Sequence, residues 1–514
     1  MEKRNFIKMS LLFFIFLLGL TCHSHSQFLQ SKIHDLVNEY VVDHQFMGSV
    51  LVADKGKVVF AKGYGLADVE KNIPNTPETQ FKIGSIAKQF TAMLVTQLLE
   101  QGKLKLDNTI SDFVPGFPKE IGDRITVEML LCHTSGLILP EGIEKYYYAS
   151  SKDEFLQEFL KQLREEGLRF EPGKGYGYSN AGYFLLGLII EKVSGKTYEA
   201  VLHEQILKPL GMENTGCDKK GLVLENRAHS YQKLPDRYIT WNEEVYSYDP
   251  AIVHFGCGDL YSTVEDLFKF SKALSTNQLL SKKYMDMYLK MRNMKSHPPV
   301  SNISPKLASE FFGTCGNGFV GEISLIDDPD TKKKQTLYWH DGIDKLFKSN
   351  HFHYSGKEQI IIICSNCSFL GEGDEMVLKI HQLLNNQPYE HIRIKHRLTQ
   401  YCEEDIAMHA GIPAALDEYF RFKNDTLNFI VPDEAYLIYA GRGQAERGDL
   451  DNAILIFQAV LSESPESWQA YDALGEVYIA KGDKEQAVQS YKKSLELNPR
   501  NTNAEQMLRK LEGK

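Results

Sequence analysis

The sequence predicts an α+β domain over residues 28–395, followed by an all-α domain of repeated helix pairs over 404–514. Three observations carry this. β-Prone runs stand near both ends of the first segment, at 49–61 and again at 336–364. The stretch between them, about 103–320, reads as helices and loops punctuated by Pro115-Gly116, Pro172-Gly173 and Pro209. From residue 434 onward the sequence repeats with a period of 34. Strand runs set apart from helical runs argue for α+β rather than a doubly wound sheet, here one antiparallel sheet flanked by helices with a helical insert beside it.

The first element is a leader. Lys3, Arg4 and Lys8 precede the 12-residue apolar run Met9–Leu20, and Ser24-His25-Ser26 supplies small residues for cleavage, so 1–26 reads as a secretory signal peptide. Cys22 raises a lipid anchor, but Thr21 before it fits that pattern poorly. Soluble export, to the periplasm of a bacterium, is the expectation, with no transmembrane span once the signal is removed. The 514 residues have ordinary globular composition, 43% hydrophobic and 25% charged, and a net charge of −10 excludes a basic footprint for nucleic acid. Of eight cysteines, seven remain after the leader and are scattered, which argues against a full disulfide framework. Cys364-Ser365-Asn366-Cys367 follows the apolar run Ile360–Ile363 and reads as a strand end with two small buried thiols, not a metal site.

Within the α+β domain, Ser49–Ala53 and Val58–Ala61 form a hairpin across Asp54-Lys55-Gly56-Lys57. A helix then begins near Gly84-Ser85, because Ile86, Phe90, Met93, Leu94 and Leu98 recur at helical spacing. Ser85 and Lys88 are three apart and share a helix face at its positive end. A hydroxyl needs a base to become a nucleophile, and a lysine whose pKa is lowered by burial can serve. The four-residue pattern is weak alone; Ser490-Tyr491-Lys492-Lys493 matches it too. A Gly-rich loop, 173–177, presents Tyr178-Ser179-Asn180 before a helix at 181–194. Strands at 336–340, 348–354 and 358–364 precede a helix at 374–385, and Trp339-His340-Asp341-Gly342 ends the first of them. Read blandly, Tyr178 stacks in its loop and Asn180 caps the next helix.

Together these residues resemble the serine β-lactamase and penicillin-binding-protein-like family, in its class C β-lactamase and esterase branch. Ser85-x-x-Lys88, Tyr178-x-Asn180 and His340-x-Gly342 stand in the family's order, separated by 93 and 162 residues. Leu130–Leu137, Pro209–Thr215 and Gly258–Thr263 also match, over about 350 residues in all. The resemblance implies a β-lactamase/transpeptidase-like fold and an acyl-enzyme mechanism without metal or cofactor. Ser85 would attack a carbonyl carbon. Lys88 and Tyr178 would share the proton traffic, either being the acylation base. Asn180, His340 and Gly342 would line the substrate site, and the backbone N–H groups of Ser85 and Ile343 would form the oxyanion hole. The sequence contains no Lys-Thr-Gly; a histidine replaces the permanent cation that suits a substrate carboxylate. Hydrolysis of an ester, amide or peptide bond is therefore expected over efficient β-lactam turnover, with a small molecule or peptide as substrate. A catalytically silent sensor with a repeat-bound partner is the alternative. Tyr146, Tyr147, Tyr148, Trp241 and Tyr246 are candidates to line a cleft.

In the C-terminal part, Gly441, Gly448-Asp449, Ala453, Phe457 and Pro465 map onto Gly475, Gly482-Asp483, Ala487, Tyr491 and Pro499. This resembles the tetratricopeptide repeat, with units at 434–467 and 468–501, a capping helix at 502–512 and a degenerate unit at 404–422. The resemblance implies either a groove for a protein partner or a cap on the first domain.

Overall fold

The computed structural model describes residues 27–512 except 42–45, 138–148, 234–237, 241–248, 295–313, 329–330, 368–371, 390–395, 399–401, 403–407, 426–428 and 431–433. The leader 1–26 and the aromatics Tyr146–Tyr148, Trp241 and Tyr246 lie outside the described residues. The chain forms two compact units, 1–389 and 390–514.

The first unit is built on an eight-stranded antiparallel sheet. In chain order its strands are β1 (Gly48–Asp54), β2 (Lys57–Tyr64), β3 (Asn293–Met294), β4 (Thr314–Gly318), β5 (Gly321–Asp327), β6 (Lys334–Asp344), β7 (Phe347–Tyr354) and β8 (Gln359–Ser365). They lie in the order β3-β4-β5-β6-β7-β8-β1-β2. Strands from the two ends of the unit are thus neighbours, with Gly48 opposite Ser365 and Ala53 opposite Ile360. The β1–β2 hairpin turns at Lys55-Gly56, where φ is 52° and 70°; two residues at positive φ match the twist of a tight hairpin.

β8 is buried on both faces, which is why it reads as an unbroken run of isoleucines. Ile361 and Ile363 pack with helix α1 (27–41), on the same side as Leu337 and Trp339 of β6. Ile360 and Ile362 face the larger cluster around helices α2 (Ala87–Glu100) and α3 (Asn180–Ser194). Helix α4 (Glu372–Leu384) joins the α1 side through Met376, Val377 and Ile380. Every residue from Ala87 to Leu99 is buried, so α2 shows no polar stripe and runs as the central helix of the unit. A small sheet of Phe81–Lys82, Leu260–Ser262 and Gly216–Cys217 brings the 256–260 segment beside the start of α2. Cys364 and Cys367, at and just past the end of β8, are both buried free thiols. Among the described residues no helix is long and apolar enough to cross a membrane, and no group of three or more His, Cys, Asp or Glu could hold a metal ion.

The second unit contains the helix Met408–Phe422, kinked at Gly411 (φ 84°). Five helices follow: α5 (Glu434–Glu446), α6 (Leu450–Glu463), α7 (Trp468–Lys481), α8 (Lys484–Leu497) and α9 (Thr502–Glu512). The 34-residue period has a physical origin in three features. Gly448 and Gly482 end the first helix of each pair at φ 84° and 83°, where a side chain would be strained. Asp449 and Asp483 then cap the second helix by accepting from the N–H of Asn452 and Gln486. Gly441 and Gly475 let the ring of Phe457 or Tyr491 approach; a Cβ there would lie 2.5 or 2.7 Å from it.

Candidate active site

Ser85 sits in a short 3₁₀ turn, Gly84–Ile86, and the α-helix proper starts at Ala87, slightly later than the sequence pattern implies. The turn is built against the end of β6. Gly84 has φ 49°, and a Cβ on it would lie 2.7 Å from the backbone nitrogen of Ile343. A Cβ on Gly342 would lie 1.9 Å from the Ile83 carbonyl oxygen and 3.1 Å from the Ser85 nitrogen. Two glycines therefore allow the backbones of Ser85 and Ile343 to meet. This is where paired N–H donors could receive a developing oxyanion.

Lys88 lies one turn on. Its Nζ is 3.1 Å from Ser85 Oγ and donates to the Cys257 carbonyl at 2.7 Å. The side chain is fully buried, and burial pushes its pKa down to about 8, against the opposing pull of Cys257, Asp341 and Asp259. Tyr178 completes the group. The residue is 42% exposed, while Ser85 beside its hydroxyl partly offsets the effect of burial on the phenol. Burial of that hydroxyl holds the phenol far above its ordinary value. The Lys88 ammonium lies 4.9 Å from the centre of the Tyr178 ring.

Asn180 is the first residue of α3 and does not cap it. The cap is Ser179, whose Oγ accepts from the Gly182 N–H at 3.0 Å. Both residues are good caps, and the Gly-rich loop enters the helix one residue earlier than expected. Asn180 Oδ1 is buried without a hydrogen-bond partner among the described residues, so it can accept from an occupant of the cleft. His340 is buried, which lowers its pKa against the opposing effect of Asp341. Its Nδ1 lies 2.5 Å from the Asp341 carbonyl, which can only accept, so Nδ1 carries the hydrogen and Nε2 of the neutral ring is an acceptor. Strand alternation sets Asp341 on the Leu337 and Trp339 face, where it acts on Asp374 of α4. The Ile343 side chain is half exposed. Ser85 and Lys88 thus form a hydrogen-bonded pair with Tyr178 beside it, and Gly342 and Ile343 flank the group.

Sequence reasoning missed the support of Lys88. The Cys257 carbonyl that holds it belongs to a turn pinned twice: Asp259 Oδ1 accepts from Gly256 N–H at 3.1 Å, and Thr91 Oγ1 of α2 donates to the Gly256 carbonyl at 2.6 Å. Burial pushes Asp259 up to about 8. Lys82, just before the Ser85 turn, lies 3.4 Å from Asp218 and 3.8 Å from Asp344, tying the turn to the end of β6. The match at Gly258–Thr263 marked this segment, but a backbone acceptor leaves no residue-type signal.

A model of the family described as Beta-lactamase matches residues 33–383. The chain belongs to the beta-lactamase family. A tetratricopeptide-repeat model matches 444–511, so the helix pairs of the second unit are repeats of that kind. The putative penicillin-binding protein PbpX of Bacillus subtilis is 30% identical over 357 residues, 68% of this chain and 78% of that protein. The teichoic acid D-alanine hydrolase of Staphylococcus aureus is 30% identical over 294 residues, 56% of this chain and 69% of that protein. Among solved structures, the octameric penicillin-binding protein homologue of Pyrococcus abyssi superposes with a TM-score of 0.59 at 27% identity, over 70% of this chain and 77% of that one. The first unit is accordingly a β-lactamase/transpeptidase-like α+β fold, and this beta-lactamase-family chain is a serine hydrolase of the penicillin-binding-protein-like group.

Proposed function

We propose that the chain is an exported hydrolase that forms an acyl-enzyme on Ser85 from an ester or amide whose acyl part carries an ammonium group. The observation that carries this is Lys88 Nζ, buried, 3.1 Å from Ser85 Oγ and lowered to about 8. A useful fraction of Lys88 is then neutral near pH 7–8 and can take the Ser85 proton. Tyr178 stays a neutral phenol, suited to passing a proton between Ser85 and the leaving group. Ser85 Oγ bonds to the carbonyl carbon while its proton goes to Lys88. The C–O or C–N bond then breaks, and the leaving group departs with a proton relayed through Tyr178. Water next attacks the acyl-enzyme, giving up its proton through the same groups, and frees the acid and Ser85. The Ser85 and Ile343 N–H groups would bind the oxyanion, and Asn180 the substrate amide or amine.

The substrate class follows from charge. Asp341 acts on Lys88 and on Tyr178, Glu322 acts on Tyr178 and on His340, and the buried Asp259 is largely protonated near neutral pH, so the surroundings carry the negative charge of Asp341 and Glu322. The nearby cation Lys82 is engaged by Asp218 and Asp344. His340 presents an acceptor where a carboxylate-binding member would present a cation. An acyl group bearing an amine fits, and D-alanine, which the name of the S. aureus teichoic acid D-alanine hydrolase gives, supplies one. The signal 1–26, hydrolase domain 28–395 and repeat domain 404–514 complete the proposed organisation, with the repeats as a module for a protein partner.

The test compares kcat/KM for D-alanine p-nitroanilide, its N-acetyl form and nitrocefin. One charge–charge contact at several ångströms and intermediate dielectric predicts about a tenfold preference for the free amine. Preference for nitrocefin, or indifference to acetylation, would contradict the substrate assignment.

A further inference from the structure

We propose that His133 is the positioning residue for Tyr178, fixing the phenol against Ser85; the proposal rests on the role given to Tyr178 above. His133 lies in the turn that follows the helix Val127–Leu131, 4% exposed and at φ 57°. That conformation is unusual for a non-glycine residue and marks a constrained site. The turn acts as a template for the Tyr178 loop. Gly173 N–H donates to the Thr134 carbonyl at 2.8 Å, and Arg169 N–H to the Gly136 carbonyl at 3.0 Å. Two further bonds, both to His133, bracket Tyr178 itself. Gly177 N–H donates to the His133 carbonyl at 2.9 Å, and Ser179 N–H donates to His133 Nδ1 at 3.0 Å.

The imidazole does a second job. Its ring stacks on the Tyr178 ring, with centroids 4.6 Å apart and planes at 28°. Lys88 Nζ is 4.9 Å from the centre of the same ring, so Tyr178 has contacts from His133 and Lys88, with Ser85 beside its hydroxyl. Tyr183 also packs on His133, at 5.1 Å, and its hydroxyl donates to the Leu131 carbonyl. Accepting from Ser179 requires a lone pair on Nδ1, so His133 is neutral with its hydrogen on Nε2. The same Ser179 caps α3 through its Oγ and is followed by Asn180, so one imidazole sets the register of both Tyr178 and Asn180. Ser135, two residues after His133, is occupied locally: its Oγ accepts from Leu137 N–H at 3.2 Å.

A residue acting through Tyr178 must lose its importance when Tyr178 loses its hydroxyl. The experiment is a double-mutant cycle on the full chain, with His133→Asn in wild-type and Tyr178→Phe backgrounds, read by the pre-steady-state acylation burst with p-nitrophenyl acetate. Asn tolerates positive φ and keeps an acceptor near Nδ1, but removes the stacked ring. Should His133→Asn fail to fold, His133→Gln takes its place. The expected result is a fall in acylation rate of about tenfold in the wild-type background with KM little changed, and no further fall in Tyr178→Phe. An equal fall in both backgrounds assigns His133 a general structural role and overturns the proposal, as does no fall at all. Tyr178→Phe alone separates the premise: if it acylates at the wild-type rate, the role of Tyr178 fails. If Tyr178→Phe is impaired while His133→Asn is not, only the His133 assignment fails.

Discussion

Lys88 is held against Ser85 by a backbone carbonyl, not by a hydrogen-bonded carboxylate. Its hydrogen bonds therefore do little to offset the loss of hydration, and its pKa falls from 10.5 to about 8. The sign of the pH dependence follows. Below the folded pKa the amine is protonated and cannot accept the Ser85 proton; above it the amine is free. The kcat/KM profile of the free enzyme should rise through pH 8 and level off above it, with an ester substrate that does not itself titrate there. A profile flat from pH 6.5 to 9.5 would remove Lys88 as the base. At this scale the sequence was informative about residue types. Ser85, Lys88, Tyr178 and the His340-x-Gly342 pair were all singled out by motif, since side-chain chemistry leaves a letter in the chain. The Cys257 carbonyl leaves none, and the N-cap at Ser179 was misassigned to Asn180 because two adjacent good caps compete.

At the scale of elements, the legible parts are those whose turns require special residues. The β1–β2 hairpin announces itself through Lys55-Gly56 at positive φ, and the repeats through Gly448-Asp449 and Gly482-Asp483. The strands β3, β4 and β5 were not anticipated. Thr314-Cys315-Gly316-Asn317-Gly318 is rich in residues with poor strand propensity, and its pairing with β5 comes from tertiary context. The repeat caps give a direct prediction. Asp483→Ala removes the acceptor for Gln486 N–H, which should destabilise α8 by about 1 kcal/mol. Amide hydrogen exchange over Gln486–Leu497 should then quicken roughly fivefold, with the 87–100 amides of the first unit unchanged. Unaltered exchange in α8 would show that the cap contributes nothing there.

For the molecule as a whole, the first unit places its candidate site by building one sheet from both ends of the unit. β1 pairs with β8, β6 runs past the Ser85 turn, and the central helix α2 starts at that crossing. Two glycines, a buried lysine and a tyrosine loop then converge without any metal-binding cluster among the described residues. The α+β class and the repeat array were readable because strand runs, helical runs and the period of 34 are long-range patterns. The proposed preference for an amine-bearing acyl group was not, because it rests on the combined charge of Asp341, Glu322 and a neutral His340, contributed by two separate segments. The most direct measurement is the intact mass of wild type and Ser85→Ala after brief reaction with p-nitrophenyl acetate and acid quench. The account predicts one acetyl group on the wild type, located by fragmentation at Ser85, and none on Ser85→Ala. Equal labelling of both proteins, or no label and no turnover in either, would contradict Ser85 as the nucleophile.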